Sequence, residues 1–423
     1  MTPITDHWIT DWNQVDSPGP PGTRILVHDE TLRDGLQSPS VTQPSLDAKL
    51  NLLHRMADIG VESADLGMPA SGAPVQRHVL RLATEIASGA LPVAAVCAAR
   101  TTRADISAVC DIAQRAALPV QVMTFVGISP IRMYAERWRS GAVVRRVRDV
   151  VRFAVQEGLD VCLVTEDTTR ARLGMAVDVY AAALDEGASR ICVCDTVGHA
   201  TPWGTTALVT RLRRALAGRG FGDVAVDWHG HNDRGLAVAN ALAAAQAGVD
   251  RLHGTALGIG ERAGNASVEQ LLVNLCEVGW RNAPLSALPR YCEAAARACR
   301  VEIAGSQPFI GPDVFRTAAG VHAAAIRKAE QRGGRWLAER VYSGIPPSLV
   351  GRRQDISVGP GSGRANARCW LRAHGRAESA AAVRAIQQAA ARATRILTDA
   401  ELRRIADTSG DPLSELGQVL QAL

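Results

Sequence analysis

The sequence predicts a (β/α)8 barrel, the TIM barrel, followed by a mainly helical C-terminal region. Short apolar segments and amphipathic helices alternate from residue 24 to residue 284. There are eight such apolar segments over about 250 residues, and a TIM barrel requires eight strands over a chain of that length. Each of these segments also ends in a group of polar residues, and active sites of barrels form where the C-terminal ends of the strands meet. These three observations together predict a barrel enzyme.

The candidate strands are short segments that begin apolar and end polar. They cover residues 24–30, 60–67, 91–99, 119–127, 159–167, 189–198, 224–233 and 249–258. Helical segments between them, such as 45–60 and 237–248, carry apolar residues at helical spacing and close on glycine. A doubly wound open sheet is the alternative fold. It should show a glycine-rich dinucleotide-binding loop after the first strand, whereas "HDETLRDGLQ" follows there.

The chain divides into three parts by sequence pattern. Residues 1–23 end in "SPGPPG" and are interpreted as an N-terminal arm with a Pro/Gly linker. Residues 24–284 hold the barrel pattern. Residues 285–423 contain helical segments such as "LPRYCEAAARAC" and "ESAAAVRAIQQAAARATR", and they are too long for a simple cap on the barrel.

Composition excludes several classes of protein. The 423 residues are 47% hydrophobic and 21% charged, with a formal net charge of +5 that is spread along the chain, which does not predict a nucleic-acid partner. No apolar stretch reaches the roughly 20 residues needed to span a bilayer, and the N-terminus does not resemble a signal peptide. Nine cysteines without a CxxC pair favour a reducing compartment, so we expect a cytoplasmic protein without a membrane partner.

A candidate metal site lies in "HGHND", residues 229–233. His229 and His231 are two positions apart on a predicted strand, so their side chains share one face. Asp34, just after the first strand, can supply a carboxylate, because strands 1 and 7 of a closed barrel are separated only by strand 8. Two imidazoles and a carboxylate suit a first-row divalent metal with open positions for substrate. If only His229 and His231 are considered, without Asp34, the alternative interpretation is a hydrogen-bonded pair beside a turn.

Three further polar residues are candidates for substrate binding. Arg33 lies beside Asp34 and suits a substrate in which a carboxylate adjoins a ketone, whose developing oxyanion needs a fixed positive charge. Gln37 is a candidate for orienting a water or a substrate oxygen. Arg100, at the end of the third predicted strand, is a candidate for recognising an anionic group, with a loop ion pair as its alternative role.

Five motifs resemble one known family in the order in which they occur. "DETLRDGLQSP", "TEDTTR", "DTVGHATP", "HGHND" and "GIGERAGNASVEQL" are similar to the metal-dependent barrel enzymes that include 2-isopropylmalate, homocitrate and citramalate synthases and hydroxymethylglutaryl-CoA lyase. The resemblance runs from about residue 24 to residue 275. It implies a divalent metal ion (Zn, Mg or Mn) held by the following residues: Asp34, His229, His231 and, as a ligand or neighbour, Asn265.

The same resemblance implies a reaction between acetyl-CoA and a 2-oxo acid. Arg33 would polarise the 2-oxo acid, Thr196 would bind its carboxylate, and Glu166 would position acetyl-CoA or substrate hydroxyls. "FRTAAGVHAAAI" resembles the synthases and implies that His322, with Tyr342, takes part in proton transfer. In such synthases these residues reach the barrel of the neighbouring subunit, so the resemblance implies a homodimer. The reaction is a Claisen condensation followed by thioester hydrolysis, as in 2-isopropylmalate synthase.

Two other activities and one inactive role remain as alternatives. The lyases of this family carry a reactive cysteine in the glycine-rich loop after the last strand, where this chain has Glu261 and Arg262 instead. Homocitrate synthases hold the distal carboxylate of their substrate with basic residues, which Thr102 and Cys162 replace here. An unusual acceptor such as phosphonopyruvate stays open. A catalytically inactive barrel should have lost a metal ligand or the arginine, and this chain keeps them all.

Overall fold

A computed structural model describes residues 8–14 and 24–409. They form two compact units, one of residues 11–14 and 24–303 and one of residues 304–409 together with 8–10. Most of the predicted N-terminal arm lies outside the described residues. Its described part includes a 3-10 turn, Trp12–Gln14. Among the described residues, no helix is both long enough and apolar enough to cross a membrane.

The first unit contains a closed barrel of eight parallel strands in sequential order, and the alternative open sheet is wrong. The strands are β1 (Leu26–Asp29), β2 (Ser63–Asp65), β3 (Ala94–Arg100), β4 (Val120–Gly127), β5 (Asp160–Glu166), β6 (Arg190–Asp195), β7 (Ala225–Gly230) and β8 (Arg251–Gly254). The barrel closes through the pairing of β1 with β8, in which His28 is the partner of His253. Because all strands are parallel, their C-terminal ends meet at one mouth.

Helices follow the strands around the barrel, as the apolar spacing predicts. They are α1 (Leu46–Asp58), α2 (Ala73–Gly89), α3 (Arg103–Ala116), α4 (Pro130–Ala135), α5 (Ser140–Gln156), α6 (Leu173–Asp185), α7 (Pro202–Ala217), α8 (Ala237–Gln246), α9 (Val268–Glu277) and α10 (Leu288–Cys299). Side chains of Ser45, Thr102, Ser129 and Thr201 accept backbone N–H groups at the starts of α1, α3, α4 and α7. These caps satisfy donors that the first helical turn leaves free and so define where each helix begins.

The barrel unit extends beyond the boundary that the sequence pattern predicts at residue 284. Helix α10 packs against α1, and the buried Tyr291 hydroxyl donates to Asp29 Oδ2 at 2.5 Å. Asp29 is the last residue of β1, so this hydrogen bond ties α10 to the strand that leads into the candidate site. The compact unit accordingly continues to Ile303.

The alternation of side chains along β7 shows how the barrel positions its chemistry. Asp227 and His229 point inward, where they contact residues of β8 and the loop after β1. Val226 and Trp228 lie on the other face of the strand and are fully buried. Because successive strand residues alternate between the two faces, His231 returns to the inward side beside His229.

The second unit is mainly helical and has its own apolar core. It contains β9 (Arg316–Thr317), α11 (Gly320–Ala338), β10 (Asp355–Ile356), α12 (Arg364–Ala373), α13 (Ala380–Arg392) and α14 (Asp399–Thr408). Trp370, Leu371, Val383, Ile386 and Leu402 are among the buried residues of this core. The short parallel pair of β9 and β10 was not expected from the sequence.

Candidate active site

A cavity of about 230 Å³ opens at the C-terminal mouth of the barrel. Its lining falls into two parts of opposite character. Polar and charged residues come mainly from the ends of β7, β8 and β1: Glu30, Arg33, Asp34, Gln37, His229, His231, His253, Glu261 and Arg262, with Glu166 and Thr196 from β5 and β6. Strands β3 to β6 supply the remainder, called here the apolar wall: Ala98, Met123, Phe125, Val164, Cys192 and Cys194.

Asp34, His229 and His231 come together at one point of this cavity. Asp34 Oδ2 lies 3.6 Å from His231 Nε2 and 4.0 Å from His229 Nε2. One donor atom from each of the three buried residues lies within 4.8 Å of the other two. Two ligands that are each about 2 Å from one ion lie at most about 4 Å apart, and the two distances from Asp34 Oδ2 meet this limit. The barrel thus brings Asp34 beside two histidines that lie about 200 positions later in the chain.

Asn265 adjoins this group through the glycine-rich loop after β8. Its Nδ2 donates to Asp34 Oδ2 at 2.9 Å, while its buried Oδ1 has no hydrogen-bond partner among the described residues. The loop must contain glycine at position 264, because a Cβ atom there would lie 1.9 Å from the carbonyl oxygen of Gly258. Asn265 is therefore placed beside the predicted metal ligands, with an unsatisfied amide oxygen.

The electrostatics of Asp34 and His231 suit a divalent cation, whereas burial lowers the pKa of His229 but Glu30 and Asp34 outweigh burial and raise it. Burial raises the pKa of Asp34, but Arg33 and His229 more than offset this, so the carboxyl stays ionised. Burial and the neighbouring His229 lower the pKa of His231 to about 4, and its buried Nδ1 has no partner within the described ranges. An ionised carboxylate with a neutral, incompletely satisfied imidazole is a donor set that fits a first-row divalent ion.

Arg33 is held by three carboxylates. Its Nε donates to Asp65 Oδ2 at 2.7 Å, its Nη1 to Asp34 Oδ1 at 2.8 Å and its Nη2 to Glu30 Oε1 at 3.0 Å. Burial lowers the pKa of Arg33, but these carboxylates raise it well above its usual value. A guanidinium has five N–H donors, so two remain for a substrate. The side chain is thus a fixed positive charge that lines the cavity.

Glu166, Thr196 and Gln37 also line the cavity. Burial raises the pKa of Glu166, and Arg132 counteracts part of that effect. Thr196 Oγ1 accepts the backbone N–H of Asp167 at 2.8 Å, which leaves its hydroxyl proton available to a substrate oxygen. The positions of all three side chains are compatible with the roles that the sequence analysis expects of them.

Arg100 does not reach the cavity. Its Nε and Nη2 each donate to a carboxylate oxygen of Asp105 at 2.9 Å, and its side chain is 57% exposed. Asp105 lies three residues after Thr102, whose hydroxyl caps α3. The structure therefore places Arg100 in the loop ion pair that was its alternative role, and Arg100 is not among the residues that line the cavity. The pattern Thr-x-x-Asp at a helix start was the sequence signal for this.

His322 and Tyr342 lie in the C-terminal unit. Their rings are stacked with centroids 4.1 Å apart. His322 is exposed near the start of α11, and Tyr342, after its end, is 45% exposed. The structure thus brings the two predicted proton-transfer residues into contact with each other on the surface of that unit.

Three polar residues around the site were missed by the sequence analysis. Glu30 contacts both His229 and Arg33, Asp65 contacts Arg33, and His253 contacts Glu30. Glu30 and His253 were detectable as inward positions two residues from another inward polar residue. Asp65 ends β2 in the segment "ESADLG", where a polar strand end is the signal that marked the other site residues.

Comparisons with known proteins show the family to which this chain is similar. The HMGL-like family profile matches residues 24–289. A homocitrate synthase of Methanopyrus kandleri is 31% identical over 348 residues, which cover 80% of each chain. A 2-isopropylmalate synthase of Pyrococcus furiosus is 33% identical over 351 residues, which cover 81% of this chain and 66% of the relative.

A solved structure supports the fold alone. The HMG-CoA lyase of Bacillus subtilis superposes with a TM-score of 0.56 at 18% identity, over 67% of this chain and 97% of the lyase. The family profile spans the whole barrel, and the curated relatives extend the match beyond it. This chain belongs to the HMGL-like family.

Proposed function

We propose that this chain is an acyltransferase that condenses acetyl-CoA with a 2-oxo acid and hydrolyses the resulting thioester, which gives a 2-substituted malate and free CoA. The observation that carries the proposal is the convergence of Asp34, His229, His231 and Arg33 on one cavity. Relatives named 2-isopropylmalate and homocitrate synthase support the reaction class. Such enzymes remove a proton from the acetyl methyl group, and the resulting carbon attacks the ketone.

The polar part of the lining binds and orients the 2-oxo acid. A divalent cation (Zn, Mg or Mn) held by Asp34, His229 and His231 would supply positive charge to the ketone and carboxylate oxygens. Arg33 has two N–H groups left to donate to the oxygen on which negative charge develops. Thr196 donates its free hydroxyl proton to the acceptor carboxylate, and Gln37 orients a substrate oxygen or the hydrolytic water.

The acceptor's side chain is apolar in this proposal, because the rest of the cavity is the apolar wall. Met123, Phe125 and Val164 present only carbon and sulfur atoms to a bound side chain. The lining cations among the described residues are Arg33, which faces three carboxylates, and Arg262, which is bonded to Asp233 and to the carbonyl of Thr196. A distal carboxylate on this wall would lose its hydration without gaining a partner.

The carboxyl group of Glu166 is suited to hold a proton near the reacting carbon. Burial raises its pKa, so it exchanges protons closer to neutral pH than an exposed glutamate does. His322 and Tyr342 complete the proton-transfer network in this proposal, supplied by a second copy of the chain. Their exposure on the C-terminal unit is compatible with that role.

A lyase acting on a hydroxyacyl-CoA is the competing activity. The glycine-rich loop holds Glu261 and Arg262 and has no cysteine. Cys192 and Cys194 line the cavity, but burial raises the pKa of both thiols, so neither is a ready nucleophile or acid at neutral pH. These observations favour the synthase.

The decisive experiment follows free thiol release from acetyl-CoA with a panel of acceptors. We expect kcat/KM for 2-oxoisovalerate to exceed that for 2-oxoglutarate by at least about 100-fold, because an unpaired buried carboxylate costs several kcal/mol. Pyruvate and phosphonopyruvate complete the panel. A preference for 2-oxoglutarate or phosphonopyruvate would refute the apolar acceptor. Thiol release only from a hydroxyacyl-CoA would replace the synthase by the lyase.

Mixed dimers test whether two copies share each site. We expect Asp34→Ala and His322→Ala to be inactive alone and to regain activity when they are co-expressed. One of the two sites in a mixed dimer would combine an intact barrel with an intact His322, so up to roughly a quarter of wild-type turnover should return. Two Asp34→Ala chains, co-expressed under the same two tags, are the control. Absence of recovery in dimers shown to be mixed would place His322 outside a shared site.

A further inference from the structure

Glu30 is a buried carboxylate beneath the candidate metal group, and the proposed reaction assigns it no role. It follows β1 directly and is 2% exposed. Its Oε2 lies 2.6 Å from His229 Nδ1. Its Oε1 lies 3.0 Å from Arg33 Nη2 and 3.2 Å from His253 Nδ1. One side chain therefore contacts a predicted metal ligand, the predicted oxyanion donor and a histidine deeper in the barrel.

The contact with Glu30 determines which nitrogen of His229 is free. A carboxylate oxygen accepts, so Nδ1 of the imidazole must donate its proton to it. The lone pair of a neutral His229 then lies on Nε2, the atom that faces Asp34 at 4.0 Å. His231 has no such partner, since its buried Nδ1 is unpaired within the described residues. The two histidines are thus positioned in different ways.

A second set of contacts, deeper in the barrel, restrains Glu30 through His253. His253 Nε2 lies 3.0 Å from Asp227 Oδ2, and Arg251 Nε donates to the same oxygen at 2.8 Å. The side chains of these three residues are nearly fully buried. They form a continuous chain of hydrogen bonds from the barrel interior to His229, through Glu30. Because each member is held by two or more partners, the carboxylate of Glu30 has little freedom to turn away from the imidazole.

His28, Glu30 and His253 also offer clustered donor atoms. We do not interpret them as a second metal site. Both ring nitrogens of His253 already face carboxylate oxygens. Glu30 has one oxygen committed to His229 and the other to Arg33. The Glu30 and His253 atoms that an ion would need are therefore in use, whereas His28 Nε2 has no hydrogen-bond partner among the described residues. One imidazole nitrogen does not by itself make a metal site.

We propose that Glu30 is a positioning residue that holds His229 in the Nδ1–H tautomer, with Nε2 directed at the metal, and that His253, Asp227 and Arg251 anchor it there. The inference rests on the proposed metal site and extends it. Carboxylates that orient a metal-binding histidine in this way typically contribute about 10- to 100-fold to metal affinity.

The isosteric variant Glu30→Gln separates this role from simple packing. Arg33 can only donate, so the amide oxygen of the glutamine should turn to Arg33 and its NH2 group to His229 Nδ1. That contact forces the proton onto Nε2, the nitrogen that is needed for the metal. If Glu30 only filled space, the glutamine variant would keep the wild-type metal affinity. If it sets the tautomer, the affinity would fall, and Glu30→Gln should impair binding at least as much as Glu30→Ala.

The test measures Co²⁺ affinity of the metal-free full-length protein from the visible absorption of the bound ion. We expect Glu30→Gln and Glu30→Ala to bind Co²⁺ about 10- to 100-fold more weakly than wild type, with an altered absorption spectrum. Asp105→Asn is the matched control, since Asp105 is equally buried and paired with an arginine but lies outside the cavity. Its affinity should equal that of wild type. Circular dichroism of each metal-free variant checks that it folds.

Each outcome decides between named alternatives. Wild-type Co²⁺ affinity in a folded Glu30→Gln protein overturns the positioning role and leaves the metal site intact. A loss of affinity in Glu30→Ala alone would show that Glu30 acts by packing. Absence of Co²⁺ binding in wild type would remove the metal site of the proposed function, and the positioning role with it. If neither Glu30 variant folds, Glu30 is structural and the inference is wrong.

Discussion

Replacement of Asp34 by alanine is expected to lower turnover by at least about three orders of magnitude while the protein stays folded. The change removes the one carboxylate that faces both His229 Nε2 and His231 Nε2. A bound cation typically contributes several kcal/mol of charge stabilisation, and each 1.4 kcal/mol or so is tenfold in rate. Thiol release from acetyl-CoA measures turnover, and elemental analysis of the purified protein measures the bound metal.

Asp149→Ala is the control for this experiment, because Asp149 is an exposed carboxylate on α5 outside the cavity. We expect it to retain both metal and turnover. Circular dichroism should give the same helix content for both variants and wild type. A folded Asp34→Ala protein that keeps full turnover after chelation of all metal would contradict the assignment of Asp34 as a ligand.

The variant Arg33→Lys should lower kcat by about 100- to 1,000-fold, the usual cost of losing one preorganised donor to a developing oxyanion. Lysine keeps the positive charge, but its ammonium group is a point donor. It cannot reach Glu30, Asp34 and Asp65 together and still donate to a substrate. Because the interaction is made mainly in the transition state, we expect kcat to fall more than KM rises. Steady-state thiol release with the best acceptor measures both.

An exposed arginine provides the matched control for that substitution. Arg115→Lys changes a residue on α3 that pairs with Asp111 at the surface, and it should leave kcat and KM unchanged. If Arg33→Lys instead raised KM with an unaltered kcat, Arg33 would bind the ground state and the transition state equally. The proposal that it stabilises the developing charge would then fail.

The sequence pattern predicted the barrel and the shared direction of the two histidines because both depend on local periodicity, while most other site residues were implied by the family resemblance. The two-residue spacing of His229 and His231 places them on one face of any strand. Eight alternating apolar and polar segments leave few folds other than a closed barrel, and closure brings the loop after β1 near the end of β7. For the same reason the position of Asp34 beside the histidines was predictable from chain order alone.

The contacts that the sequence pattern does not predict depend on which partner each polar side chain finds in the folded chain. Arg100 carries the right charge at a strand end, but Asp105 at the start of α3 takes it out of the cavity. A change in sequence pattern predicts a boundary near residue 284, and the hydrogen bond from Tyr291 to Asp29, which joins α10 to β1, is a contact that the pattern does not show. Glu30 lies within the motif "DETLRDGLQSP", but the motif does not show that its carboxylate contacts His229.

What this amino-acid sequence determined by itself is the inward or outward direction of each side chain and the order in which chemical groups arrive at the barrel mouth. Tertiary structure decided the contacts among them: that Glu30 meets His229 and Arg33, and that β3 to β6 contribute the apolar wall. The physical reason is that the direction of a side chain follows from the two-residue repeat of the strand backbone. Hydrogen-bond partners in a buried site depend instead on differences of a few tenths of an ångström in the distances between strands that are far apart in sequence.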